Sequence, residues 1–235
     1  MDTDSTQKIT GKWFYQMNTK TASIYKSAAG KEEIMALYDR VLERWAVPYE
    51  TLHVPTRHGN TFIIASGEKT APVLVLLHGS TSNATSWVAD VAEYSQYFRV
   101  YALDLPGEPG RSDENRPSWS GPAFAEWLED VLDVLKVEKT NLVGISQGGW
   151  AALKFATQNP ERVEKLVLLT PGGVVPVSAW FLLRAIPLSL LGRFGAKIIN
   201  DIVFGRQKIE KEALEIMNTI MVRSEERRVG KECIY

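Results

Sequence analysis

The hydrophobic pattern of the chain changes twice along its length. Apolar residues first recur at helical spacing, which predicts an amphipathic helix over about residues 31–45. Two short segments rich in β-forming residues, at 49–55 and 61–66, then flank the polar stretch 57–60, and this arrangement predicts a β-hairpin. After the hairpin the pattern becomes one of buried strands alternating with helices.

Four continuous apolar runs follow the hairpin, at residues 72–77, 100–103, 141–145 and 166–169. Such runs are typical of parallel strands that are buried on both faces. An amphipathic stretch at 124–135 lies between the second and third runs, with Ser120 expected to cap it and Pro122 in its first turn. Alternating strands and helices predict an α/β fold with a mostly parallel central sheet and flanking helices.

The alternation stops after residue 173, and the chain divides into four predicted segments. Residues 174–222 are expected to form helices interrupted at Pro176, Pro187, Gly192 and Gly205, as a helical lid over the sheet. The predicted segments are therefore an N-terminal helical extension (1–48), the core (49–173), the lid (174–222) and a tail (223–235). The extension is expected either to cover an edge of the sheet or to make a dimer contact.

Composition and charge exclude several classes of protein. With 235 residues, 45% of them hydrophobic and a net charge of −1, the chain is long enough for one globular core and has no basic footprint for nucleic acid. Cys233 is the only cysteine, so no internal disulfide, redox chemistry or structural zinc site is expected. Residues 1–8 lack a signal-peptide pattern, which favours a cytoplasmic location, and the cations and proline within residues 180–204 argue against stable membrane insertion.

The strongest chemical motif is Gly144-Ile-Ser146-Gln147-Gly148. It follows a buried strand and precedes a helical stretch, the setting that a nucleophile elbow requires. The sharp turn is expected to bring both glycines against neighbouring backbone, where a side chain would collide. It would expose the Ser146 hydroxyl at a helix N-terminus, which favours developing negative charge. The alternative is a small-residue turn with an idle serine.

Two further motifs follow the two preceding strands. His78-Gly79-Ser80 comes after the run at 72–77, and Asp104-Leu-Pro-Gly107-Glu-Pro-Gly110-Arg-Ser112 comes after the run at 100–103. With the serine motif, they occur in the order found in the α/β-hydrolase family, which the chain resembles over roughly residues 49–173. The family often carries Asp-x-x-Gly-x-Gly-x-Ser at the later position, so the extra residue between the glycines here predicts a different loop path.

The resemblance implies a role for each motif. The backbone N–H groups of Ser80 and Gln147 would form the oxyanion hole for a tetrahedral intermediate on Ser146. His78 and Gly79 would fix the oxyanion turn, and Asp104 would cap backbone groups, with neither His78 nor Asp104 belonging to the catalytic triad.

The triad acid and histidine are predicted to be absent from this chain. The family order is nucleophile, acid, histidine, but no histidine follows Ser146, and the only later aspartate is Asp201 in the predicted lid. A serine without a base is a poor nucleophile at neutral pH, so the chain as it stands is expected to be nearly inactive. The natural protein is expected to continue past Val222 and to supply both groups.

The stretch from Arg223 to Cys233 resembles a translated sequencing-adapter read, so residues 223–235 are expected to be non-native. The alternative is a solvated charged tail. With the last strands missing, residues 166–169 would form an exposed apolar sheet edge, and the chain is expected to aggregate.

The resemblance implies a serine hydrolase, carboxylesterase-like, that cleaves an ester, amide or C–C bond of a small apolar substrate through an acyl-enzyme on Ser146. No cofactor is implied, and a homodimer is possible. Two alternatives stay open on sequence alone. One is a cofactor-free perhydrolase or haloperoxidase that uses the same residues, and the other is a non-catalytic ligand-binding protein of the same fold.

Overall fold

The computed structural model describes residues 23–174, 183, 188, 191–204 and 211–224, and a six-stranded sheet lies at the centre of these residues. The strands are β1 (Tyr49–Thr56), β2 (Gly59–Ser66), β3 (Val73–Leu77), β4 (Arg99–Leu103), β5 (Thr140–Ile145) and β6 (Val163–Leu169). Their spatial order is β1-β2-β4-β3-β5-β6. Strands β4, β3, β5 and β6 are parallel, and the β1–β2 hairpin adds antiparallel to β4.

Six described helices accompany the sheet: α1 (Ala28–Leu42), α2 (Val91–Tyr94), α3 (Ala123–Val134), α4 (Gln147–Gln158), α5 (Gly192–Phe204) and α6 (Lys211–Arg223). Short 3₁₀ turns at Ala84–Trp87 and Pro160–Arg162 lie between them. The predicted fold class, a mostly parallel sheet with flanking helices, is confirmed. None of the helices in the described ranges is both long enough and apolar enough to span a bilayer.

The core is divided between the two faces of the sheet because successive side chains of a strand point to opposite sides. On one face, Val75 and Leu77 pack with Trp127 of α3 and Phe155 of α4. On the other face, Leu74 and Leu76 belong to a second cluster. The β3 run is apolar at every position because both of its faces are covered.

Helix α1 covers that second face of the sheet. Its residues Tyr38 and Leu42, with Trp45 just beyond, pack in the same cluster as Phe62 and Ile64 of β2. The helix begins at a cap in which the Ser27 hydroxyl accepts from the Gly30 N–H at 3.0 Å. The described part of the extension therefore packs on a face of the sheet, and residues 1–22 lie outside the described part of the chain.

Helix α6 contacts the N-terminal segment. Ile220 of α6 lies in a small cluster with Ile24, Tyr25 and Ile34, and the Lys26 N–H donates to the Arg223 carbonyl at 3.0 Å. Arg223 also forms an ion pair with Glu33 at 2.7 Å, and Ser224 forms a β-bridge with Tyr25. The first two residues of the predicted tail thus have ordered partners, and residues 225–235 lie outside the described part of the chain.

The predicted cap of α3 is wrong. The helix begins at Ala123 after Pro122, and no side chain caps it. Gly121 adopts a φ of 80°, a left-handed conformation that separates Ser120 from the helix and prevents it from acting as the cap. The interruptions predicted at Pro176, Pro187 and Gly205 lie outside the described residues, whereas Gly192 begins α5.

Strand β6 differs from the other parallel strands in its burial. Leu166 and Leu168 pack against the core, whereas Val167 is 47% exposed and Leu169 is 42% exposed. No other strand within the described ranges pairs with the outer edge of β6. The apolar run alone indicates burial on both faces, which β6 does not have, and the exposed apolar edge expected at residues 166–169 is confirmed within the described residues.

We expect Val167→Lys to reduce self-association of the 235-residue chain, because a charge on an exposed strand face opposes edge-to-edge pairing. The monomer fraction should rise several-fold by size-exclusion chromatography with light scattering. The matched control is Glu164→Gln on the same strand, which changes the charge by the same amount without removing an apolar side chain. An equal gain in both variants would contradict a role for the apolar face.

Candidate active site

Ser146 occupies a strained turn between β5 and α4. Its φ is 50° and its ψ is −111°, a conformation that non-glycine residues adopt only when the surrounding structure holds them there. The Ser146 N–H donates to the Leu169 carbonyl at 3.0 Å, and its carbonyl accepts from the N–H groups of Trp150 at 3.0 Å and Gly172 at 2.9 Å. The half-buried Ser146 is thus held by β6, by α4 and by the turn after β6.

The two glycines of the motif make backbone approaches that no side chain would permit. A Cβ atom at Gly144 would lie 2.4 Å from the Gly148 carbonyl oxygen. A Cβ atom at Gly148 would lie 2.2 Å from the Leu77 carbonyl oxygen. Both distances are far below van der Waals contact, so the close packing of β3, β5 and α4 requires glycine at both positions.

The turn after β3 lies against Ser146, since a Cβ atom at Gly79 would be 3.5 Å from the Ser146 Cβ. His78 is fully buried, and backbone groups occupy both of its ring nitrogens. Nδ1 is 2.8 Å from the Gly79 carbonyl oxygen, to which it donates, and Nε2 accepts from the Leu105 N–H at 2.9 Å. Burial lowers the pKa of His78 to about 4, so the ring is neutral and has no nitrogen available for proton transfer.

Ser80 of this turn contacts Gln147, the first residue of α4. The Ser80 hydroxyl donates to the Gln147 side-chain oxygen at 2.6 Å. The Gln147 N–H belongs to the first turn of α4, where helical partners are lacking, and no backbone partner of the Ser80 N–H lies among the described residues. Neither N–H group therefore has a backbone partner among the described residues.

Asp104 ties the loop after β4 to the turn after β3. One carboxylate oxygen accepts from the Ala84 N–H at 2.6 Å and from the Tyr38 hydroxyl at 3.3 Å, and the other accepts from the Arg111 N–H at 2.7 Å. Burial raises the pKa of Asp104 to about 6, although these donors oppose the shift. Its hydrogen-bond partners lie in these loops and in α1, and none of them is Ser146.

Sequence reasoning missed the role of Glu108. This residue is 6% exposed, and its carboxylate accepts from the Thr81 N–H at 2.7 Å. Thr81 has a φ of 52° and directly follows Ser80. The extra residue between Gly107 and Gly110 was the available signal, since the lengthened loop brings a carboxylate to the oxyanion turn.

None of the three histidines, all of which lie in the described part, forms a hydrogen bond with Ser146. His53 is exposed on β1, where its ring contacts Phe62, and His58 is half-buried 3.8 Å from Glu126. Both ring nitrogens of His78 form hydrogen bonds with backbone groups. The described ranges also contain no group of three or more histidine, cysteine or acidic side chains that could hold a metal ion.

Comparison with known proteins assigns the family. The family model described as alpha/beta hydrolase fold matches residues 72–205, which include all three motifs. The chain belongs to this family. It is 41% identical over 134 residues to carboxylesterase YbfK of Bacillus subtilis, covering 57% of this chain and 45% of that protein. The chain spans about half the length of the curated relatives it matches.

Two solved α/β-hydrolase structures from Bacillus subtilis are similar to this one. Carboxylesterase CesB (YbfK) has a TM-score of 0.74 at 32% identity, covering 83% of this chain and 68% of that chain. Naproxen esterase (carboxylesterase NP) has a TM-score of 0.77 at 28% identity, covering 85% of this chain and 70% of that chain.

We expect Gly148→Ala to lower the free energy of unfolding by about 3 kcal/mol, because the added methyl group meets the Leu77 carbonyl and the backbone must shift. The control is Gly172→Ala, whose Cβ atom would lie 3.5 Å from the nearest atom and should change stability by less than about 1 kcal/mol. Urea denaturation of both variants and the wild type measures the two changes. Equal effects would contradict the close approach at Gly148.

Burial shifts the pKa values of His78 and Asp104 in opposite directions, so their effects on acid stability should offset each other. The pKa of His78 is lowered from 6.5 to about 4, so its contribution is present above pH 6.5 and is lost as the pH falls towards 4. The pKa of Asp104 is raised from 3.8 to about 6, so its contribution is present below pH 3.8 and is lost as the pH rises through 6.

Asp104→Asn removes the Asp104 contribution and leaves that of His78. Between pH 6.5 and pH 4, the unfolding free energy of this variant should therefore fall more steeply on acidification than that of the wild type. Urea denaturation at several pH values measures the slope, with Asp133→Asn at an exposed position of α3 as the control. A slope equal to that of the wild type would show that Asp104 is not protonated in this range.

Proposed function

We propose that this protein is a carboxylesterase-like serine hydrolase that forms an acyl-enzyme on Ser146. The observation that carries the proposal is the backbone of Ser146, whose positive φ is maintained by two glycine approaches at a strand-to-helix turn. A positive φ in a serine has an energetic cost of about 1–3 kcal/mol, and such strain is concentrated at functional sites.

The reaction begins with attack of the Ser146 oxygen on the substrate carbonyl carbon. The carbonyl oxygen then becomes an oxyanion, which the N–H groups of Ser80 and Gln147 stabilise. The intermediate collapses by expelling the alcohol, which leaves with the proton that Ser146 lost on attack. Water then hydrolyses the resulting ester, which releases the carboxylic acid and restores the Ser146 hydroxyl. No metal or cofactor takes part in these steps.

The serine proton needs a base, and none of the three histidines of this chain forms a hydrogen bond with Ser146. We propose that the whole protein supplies the histidine and its acid partner from residues outside this chain. The greater length of the matched relatives supports this, since the chain spans 45% of carboxylesterase YbfK. His78 is unsuitable because it is held neutral with both nitrogens occupied.

The proposed substrate is a small ester with an apolar acyl group. The carboxylesterase names of the relatives favour an ester over an amide or a C–C bond. Residues 174–222 are proposed as the lid, and its described part exposes the apolar side chains of Leu183, Leu191 and Phe194, which suit an apolar ligand. A cytoplasmic location and a homodimer stay predictions.

The test is covalent labelling of Ser146. The protein expressed from its complete reading frame should react with a fluorophosphonate probe at Ser146 and hydrolyse p-nitrophenyl butyrate. Ser146→Ala should abolish labelling and lower turnover by roughly 10⁴–10⁶-fold, as removal of a nucleophile does in serine proteases. The control is Ser86→Ala, at an exposed serine of the 3₁₀ turn. Absence of labelling, or labelling that persists in Ser146→Ala, would contradict the proposal and favour a ligand-binding protein.

A further inference from the structure

We propose that the side chains of Ser80 and Gln147 form a clamp that holds the two oxyanion N–H groups in register with each other. The inference rests on the proposed esterase function. It assigns a positioning role to the side chains of Ser80 and Gln147, in addition to the proposed role of their backbone N–H groups. Ser80 and Gln147 are 67 positions apart in sequence, and one hydrogen bond of 2.6 Å joins their side chains.

The clamp joins two elements that carry one donor each. Ser80 lies on the turn after β3, and Gln147 is the first residue of α4. Among the described residues, the hydrogen bond between their side chains is the only one that connects the turn at 78–81 to α4. This hydrogen bond and the close approach of Gly148 to the Leu77 and His78 carbonyls together set the separation of the two backbone N–H groups.

The turn itself offers little regular restraint. The pairing of β3 ends at Leu77, so residues 78–81 have no ladder partners, and Thr81 is held at a positive φ. His78 and Glu108 hold the turn from the side of the loop after β4, through Leu105 and the Thr81 N–H. The Ser80 hydroxyl holds it from the opposite side, against α4.

Because Gln147 is buried, loss of its hydrogen bond with Ser80 is costly. Gln147 is 3% exposed, so loss of the Ser80 hydroxyl would leave the Gln147 side-chain oxygen without its partner in a site with little access to water. The amide would turn to find another donor, and the turn would move with it. An oxyanion hole functions only when its donors lie about 2.7–3.1 Å from the developing charge, so a small displacement weakens transition-state binding.

The clamp should affect turnover more than substrate binding. Donors that meet the charge of the transition state change kcat, whereas contacts shared with the ground state change KM. We expect Ser80→Ala to lower kcat for p-nitrophenyl butyrate by roughly 10–100-fold, less than the loss of a whole donor, with KM within about twofold of the wild type. Ser80→Thr keeps the hydroxyl and should recover most of the activity.

A double-mutant cycle isolates the contact from the separate effects of each change. Gln147→Met is similar in size and shape to glutamine but lacks the accepting oxygen, and it should lower kcat as Ser80→Ala does. The double variant should be about as slow as either single variant. Ser86→Ala is the matched control, because it removes an exposed serine hydroxyl outside the turn and should leave kcat unchanged. All variants are made in the protein expressed from its complete reading frame.

The outcomes separate the clamp from the proposed function. If the wild type is labelled at Ser146 and Ser80→Ala keeps its kcat, the clamp is wrong and the esterase function stands. Strictly additive effects in the cycle also overturn the clamp. If the wild type is neither labelled nor active, the esterase function is wrong and the clamp falls with it. Should Ser80→Ala fail to fold, Gln147→Met is compared with the wild type instead: a lowered kcat at unchanged KM supports the clamp, and an unchanged kcat overturns it.

Discussion

Backbone packing at the carboxyl ends of β3 and β5 is the constraint on which the rest of the site depends. The absence of a side chain at Gly148 lets α4 approach the Leu77 carbonyl. The absence of a side chain at Gly144 lets the Gly148 carbonyl pack against it. Because these contacts are between backbone atoms, they cannot relax by a change of rotamer. They force Ser146 into a positive φ and present its side chain where the helix begins.

The loops around the nucleophile are held by buried polar side chains that bond to backbone groups. His78 joins its own turn to Leu105, Asp104 joins the loop after β4 to Ala84, and Glu108 returns from that loop to Thr81. Each of these groups is buried and would be costly to leave without partners. These three side chains therefore join the two loops, and the geometry of the turn after β3 depends on residues of the loop after β4.

The sequence predicted much of this arrangement because its signals were local. Continuous apolar runs identified strands β3 to β5, since burial on both faces leaves no polar positions, and the glycine spacing identified the elbow. The run of β6 has the same pattern as the others, because an apolar run carries no information about which neighbours cover it. Its exposed edge was expected only because no further strand pattern follows it. The extra residue between Gly107 and Gly110 predicted a different loop path but not which group Glu108 would contact. The contact between Ser80 and Gln147 was missed because it depends on how a turn and a helix meet in space, which the sequence of neither records.

The crystal structure of the protein expressed from its complete reading frame, with a phosphonate bound to Ser146, tests the account most directly. We expect one phosphonyl oxygen to lie about 2.7–3.1 Å from the backbone nitrogens of both Ser80 and Gln147. We also expect the hydrogen bond between their side chains to be retained. A phosphonyl oxygen that points away from these two nitrogens, or a phosphonate attached to a residue other than Ser146, would contradict it.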